Sequence, residues 1–144
     1  MNLEIRKEYF GVLLPFIENE TITDITWNGR QLWIDDLEKG RYAAGMKLEP
    51  AFLDRFAARI ANLANVNFNR SQPILEAETA DLRISLIDRS VTNTDCTLAI
   101  RKTPAVRRLN EKNMVEQKYA SEKMLAFLQA AVRGRCSIMV TGDV

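Results

Sequence analysis

The sequence predicts an α+β fold, and three observations predict it. Residues 2 to 19 and 50 to 66 carry apolar side chains at helical spacing. Between and after them the apolar period shortens to two, as in half-buried strands. Asn28-Gly29 separates two β-prone runs, the strongest short hairpin signal, because both turn positions of that hairpin type require positive φ.

Each element follows from its residues. In the first helix Ile5, Tyr9, Val12, Leu13 and Phe16 fall on one stripe, and a break is expected near Pro15. In "TITDITWNGRQLWIDD", Ile22, Ile25 and Trp27 precede the turn and Leu32, Trp33 and Ile34 follow it. "DLEKGRY" reads as a second turn, centred on Lys39-Gly40, that leads into a third strand. Pro50 suits the first position of the next helix, whose stripe is Phe52, Leu53, Phe56, Ile60, Leu63 and Ala64. "FNRSQP" is a loop. "ILEAETADLRISLID" is a tight hairpin with Ala80-Asp81 near its tip. Its second strand puts Leu82, Ile84 and Leu86 on one face and Arg83, Ser85 and Ile87 on the other. In "CTLAIRK", Leu98 and Ile100 oppose Thr97, Ala99 and Arg101. One helix interleaved within a mainly antiparallel sheet is a PAS-like layout, expected over residues 1–104.

Residues 105–119 are polar and charged and read as an interdomain linker with some helix. A helix capped by Ser121 then runs to Arg133, with Met124, Leu125, Leu128, Ala131 and Val132 as its stripe and Gly134 just past its end. "CSIMV", residues 136–140, reads as a strand buried on both faces in a parallel sheet.

Composition narrows the chemistry. The 144 residues suffice for one domain, or for one small domain and part of another, and 47% of them are hydrophobic. The formal net charge is +1, so there is no global field for nucleic acid or anionic membrane, and any anion site is local. The absence of histidine removes His-based acid/base catalysis, His-containing triads and most zinc sites. Cys96 and Cys136 lie in apolar runs without a CxxC pattern and read as buried, reduced thiols of a cytosolic protein. Trp27 and Trp33 read as core residues of the hairpin rather than as stacking platforms. Arg101-Lys102 and Arg107-Arg108 form a basic cluster. Phosphates, acidic lipid, a subunit interface or plain solvation of a linker would each suit it.

Thr141 and Gly142 follow the apolar run directly, as the first glycine of G-x-x-x-x-G-K-S/T follows a strand in a P-loop. The order of the whole chain resembles the N-terminal half of the secretion traffic ATPases, the motors of type II and type IV secretion, conjugation and type IV pili. "ITDITWNG", "QPILEAETADLRISL", "TLAIRK" and "ASEKMLAFLQAAVRGRCSIMVTG" are each similar to a family stretch, in the family order. One departure is local: the family's Pro-Asp-Gly hairpin tip is here "ETADLR", which has no glycine and is one residue shorter.

The resemblance implies a PAS-like domain, a linker, and over residues 120–144 the first helix and strand of a RecA-like ATPase domain. It implies that Gly142, Asp143 and Val144 open a P-loop, which the parent gene would complete. Arg83 and Arg101 then match the two arginines that approach the terminal phosphates, a role suited to guanidinium forks. The implied activity is ATP hydrolysis with Mg²⁺ in the full-length protein; the fragment alone needs neither and is expected to be inactive. The implied assembly is a homo-hexameric ring, cytoplasmic and peripheral to the membrane. It would work with secretion or pilus machinery at the inner membrane face, and meet DNA only indirectly, in conjugation. The alternative is a PAS-like sensory or interaction module with no nucleotide role.

Overall fold

A computed structural model describes residues 4–103 and 111–142, of residue 113 the backbone only. The chain divides into two compact units, Met1–Ala105 and Val106–Val144.

In the first unit the described residues form a six-stranded, wholly antiparallel sheet: β1 (Ile22–Trp27), β2 (Leu32–Asp36), β3 (Gly40–Ala43), β4 (Ile74–Glu78), β5 (Leu82–Ile87) and β6 (Thr97–Lys102). Their order is β3-β2-β1-β6-β5-β4, two three-stranded meanders joined where β1 meets β6. The chain must cross from the β3 edge to the β4 edge. Helix α2 (Pro50–Ala64) lies on that crossover: its 15 residues span about 22 Å, against about 24 Å for five strand spacings. Pro50 occupies the first turn, and Asn65 ends the helix in the left-handed conformation.

The core lies between α2 and one sheet face. Ile25, Leu32, Ile34, Leu75, Ile84, Leu86, Leu98 and Ile100 meet Leu53, Phe56 and Ile60 of the helix. Phe56 packs on Phe10 and Phe52 with ring centroids 5.8 and 6.0 Å apart. The helix turns Ala57 and Ala61 into the core, whereas Leu63 of the expected stripe is exposed. A β-bulge between Ile22 and Asp24 lets both Ile22 and Ile25 face inward and turns Asp24 outward.

The N-terminal segment departs from the expected single helix. A 3₁₀ segment, Lys7–Leu13, is followed by a short helix, α1 (Leu14–Glu18). The break falls at Gly11 (φ 48°, ψ −119°), not near Pro15, which sits harmlessly in the first turn of α1. The kink rephases the stripe: Phe10 and Leu13 are buried and Val12 is 49% exposed. A Cβ on Gly11 would lie 2.9 Å from the Phe52 ring.

The turns rely on side chains. Asn28 Oδ1 accepts the N–H groups of Arg30 and Gln31, giving a four-residue loop in which only Gly29 has positive φ, not the two-residue turn with both positions positive. Gly29 also packs against Thr94, whose Oγ1 donates to the Asn28 carbonyl. The β4–β5 hairpin closes without glycine because Thr79 Oγ1 accepts from the Asp81 and Leu82 N–H groups. Asp36, buried at 5% exposure, accepts from the Glu38 and Lys39 N–H groups and from the Thr21 hydroxyl.

In the second unit α3 (Glu111–Glu116) and α4 (Glu122–Arg133) form a helix pair. Ser121 caps α4 as expected, accepting the Met124 N–H. Gly134 is not left-handed (φ −76°); that conformation falls on Arg135 (φ 53°). Residues 136–140 do not form the expected strand. Among the described residues they pair with no other strand, and without a neighbour an extended segment has no ladder to join. Cys136 is accordingly exposed, while Cys96 is buried, its thiol pushed up to about 11 chiefly by burial.

Gly11→Ala should destabilise the protein by about 1–3 kcal/mol, read as a lower denaturation midpoint at unchanged slope. Its strained backbone and the Phe52 contact both oppose a side chain.

The Glu38 N–H, foremost among its contacts, holds the Asp36 carboxyl below its ordinary 3.8. A folded value below the unfolded one stabilises above about pH 4, and that contribution is lost as pH falls through the folded value. Acid unfolding followed by circular dichroism should therefore be shallower in Asp36→Asn than in the wild type.

Candidate functional site

The face of the sheet opposite α2 is open: no helix among the first unit's described residues packs on it. Its side chains are the outward half of each strand's alternation, and the strand registers arrange them in rows. One row of charged side chains crosses all six strands. Glu78 faces Arg83, Arg83 faces Arg101, Arg101 faces Asp24, Asp24 faces Asp35, and Asp35 faces Arg41.

Arg83 and Arg101, matched one by one to a shared role in the sequence, are thus direct cross-strand partners. Like charges in that position repel. The flanking carboxylates offset the repulsion: Arg83 Nε donates to Glu78 Oε1 at 2.8 Å, and Arg101 Nε to Asp24 Oδ1 at 2.8 Å. The Asp24 hydrogen bond, then its charge and that of Asp35, raises the Arg101 pKa further. Arg41 stands 3.9 Å from Asp35 and lies over the Trp33 ring, 5.5 Å from its centroid. The arginine side chains are 67% and 71% exposed, so both can be reached from outside. Each guanidinium has five N–H donors, and the bond to its carboxylate takes one.

Beside the arginines the next row is small at its centre. Ser85 faces Ala99, and Ala99 faces Thr26, leaving a flat floor at the middle of the sheet. Trp33 stands on this row and is half-buried on the open face, not a core residue as expected; Trp27 is in the core, with its indole N–H buried and unpartnered.

Lys102 is not part of this surface. Strand alternation turns it to the other side, where its ammonium donates to the carbonyls of Phe16 and Asn19 at the end of α1 and burial lowers its pKa. The expected Arg101-Lys102 patch is therefore split between two faces. Arg107, Arg108, Asp143 and Val144 lie outside the described residues, and Gly142 is exposed in an irregular segment. Asp24, Asp35, Glu78 and Arg41 were not singled out from sequence. Their signal was available only jointly, as charges at outward positions of strands that turn out to be neighbours.

The fold and its open charged face define an α+β sheet domain followed by a helix pair. Among solved structures, this fold is similar to the VirB11 ATPase of the Brucella suis type IV secretion system, crystallised in complex with sulphate. The TM-score is 0.66 at 16% identity, over 89% of this chain and 44% of that one. In sequence the chain is 24% identical over 136 residues to an uncharacterized protein of Bacillus anthracis, covering 92% of this chain and 30% of that protein. No protein-family profile matches. The chain thus spans less than half the length of either.

Because exposed ion pairs contribute little, Arg83→Ala and Arg101→Ala should each fold normally. Their melting temperatures should stay within about 4 °C of wild type by calorimetry.

Proposed function

We propose that this chain is the N-terminal part of a secretion-type ATPase. In this reading its open sheet face presents Arg83 and Arg101 to the terminal phosphates of ATP bound on a following P-loop domain. The observation that carries the reading is the cross-strand pairing of two exposed arginines over a floor of Ser85 and Ala99. Two adjacent forks can grip several oxygens of one phosphoryl group, and their fixed charge offsets what develops there during transfer. The fold-level likeness to an ATPase crystallised with sulphate, an oxyanion of phosphate-like shape, supports it.

In this reading residues 1–104 are the PAS-like domain, 105–119 the linker, and 120–144 the first helix and strand of a RecA-like domain whose P-loop opens at Gly142, Asp143 and Val144. Residues 136–140 then gain their ladder from later strands of that domain. The full-length protein works as a cytoplasmic hexameric ring at the membrane's inner face, energising secretion, conjugation or pilus assembly. Among the described residues no three His, Cys, Asp or Glu side chains gather as a metal site.

A second reading, an interaction module without nucleotide, is favoured by one observation: both arginines already hold a carboxylate at 2.8 Å. Turnover separates the two. In the full-length protein Arg101→Ala should lower ATP hydrolysis by about 10³-fold while leaving ADP affinity nearly unchanged, because the contact is to the γ-phosphate. Arg101→Lys should not rescue fully, since an ammonium lacks the planar fork. Wild-type turnover in Arg101→Ala would return the residue to a surface ion pair.

A further inference from the structure

The charge row across the open face has a property that a phosphate site does not require. From β3 to β4 it reads Arg41 (+), Asp35 (−), Asp24 (−), Arg101 (+), Arg83 (+), Glu78 (−). Reversing the row inverts every sign. A two-fold axis parallel to the strands, midway between β1 and β6, makes this reversal while keeping each row at its own height. It lays Arg101 against the partner's Asp24, Arg83 against the partner's Asp35, and Glu78 against the partner's Arg41. Three independent pairs match, and symmetry doubles them to six.

The neighbouring row runs Ala43, Trp33, Thr26, Ala99, Ser85, Glu76 from β3 to β4, and its four inner positions fit the same operation, with Glu76 left at the rim over the partner's Ala43. It brings Trp33 on β2 over the partner's Ser85 on β5, a large side chain over a small one, while Thr26 and Ala99 meet at the axis. Shape and charge thus agree on one axis although they come from different rows. We propose that the open face is a self-complementary surface on which a second copy of this chain docks, sheet to sheet.

The geometry is that of ordinary aligned sheet packing, about 10 Å apart. Six strands of about five residues give a face of about 500 Å² per copy, or about 1,000 Å² in total, the lower limit for a specific interface. The dimer is therefore weak and its contacts largely ionic, so salt weakens it. Docking covers Arg83 and Arg101, so it and phosphate binding exclude each other on any one copy. It does not rest on the nucleotide reading, and its test contains no nucleotide.

The test is sedimentation equilibrium of the 144-residue chain over a concentration series, in low salt and in about 0.5 M salt. Wild type should show a monomer–dimer equilibrium that salt shifts to monomer. Arg101→Glu and Asp24→Arg should each be monomeric, because each puts two like-charged pairs across the axis. A mixture of the two variants should associate again, since each supplies the charge the other lacks. The double variant Arg101→Glu/Asp24→Arg should self-associate like wild type. Ser85→Trp, which leaves every charge in place, should abolish association by meeting the partner's Trp33. Circular dichroism confirms that each variant is folded. A wild type that stays monomeric in low salt overturns the proposal. So do dimers that persist in both single variants, or single variants that fail to associate when mixed.

Discussion

The pairing of β1 with β6 is the constraint on which the rest of the first unit depends. It joins two meanders that would otherwise be separate three-stranded ribbons, and it joins residues far apart in sequence, Asp24 with Arg101 and Trp27 with Leu98. Loop-closure entropy opposes such a contact, so it must be held by what it buries. Ile25 facing Ile100, with Ile34 and Ile84 beyond them on either side, forms a continuous apolar row under α2. A slip of one residue would turn that row to solvent and bring the charged row into the core. The register that buries Ile25 against Ile100 is thus the one that sets Asp24 against Arg101 on the other face. The bulge at Ile22/Asp24 adjusts the strand so that both demands are met.

The charged face is organised by the same logic at lower stakes. Two like pairs, Arg83 with Arg101 and Asp24 with Asp35, stand directly opposed across strands, an arrangement that costs stability unless neighbours relieve it. Each is flanked by opposite charge, so the row is neutral as a whole while keeping local doublets of one sign. A strictly alternating row would satisfy its own neighbours and offer nothing concentrated to a ligand. The doublets retain an unspent preference: two guanidiniums for an oxyanion, or a doublet of each sign for its counterpart on another copy.

What was legible in the sequence were the features set by neighbours along the chain. The alternation of Leu82, Ile84 and Leu86 against Arg83 and Ser85, the stripe of α2, the Ser121 cap and the Ala80-Asp81 tip all come from local periodicity or local hydrogen bonding. The displaced kink and the missing strand depend instead on something distant. Pro15 was the stronger local breaker, yet the kink went to Gly11, because that residue faces the Phe52 ring and only a missing side chain fits. "CSIMV" has a strand's composition, but composition cannot supply a ladder partner. Lys102 follows Arg101 in sequence, and the two read as one basic patch, although neighbours along a strand point to opposite faces. For the candidate site the phases of Arg83 and Arg101 were legible and their adjacency was not, because adjacency is fixed by the order and register of β5 and β6.

That adjacency changes what the two arginines can be. Read along the chain they are separate residues, each of which could serve as an ordinary surface charge. Placed side by side at mid-sheet, they share one floor of small side chains with a carboxylate on either flank, so a single ligand of several charges has both at hand. The nearby acids also set a threshold. A weakly charged anion must compete with Glu78 and Asp24, which are covalently part of the surface and always present. A polyphosphate, with several negative oxygens, or a matching row of acids and bases can engage both forks at once. In the proposed reading the face discriminates by multiplicity of charge rather than by the strength of a single contact, and that selectivity needs the β4–β5 and β1–β6 registers that place Glu78 and Asp24 as well as the β5–β6 register that pairs the arginines.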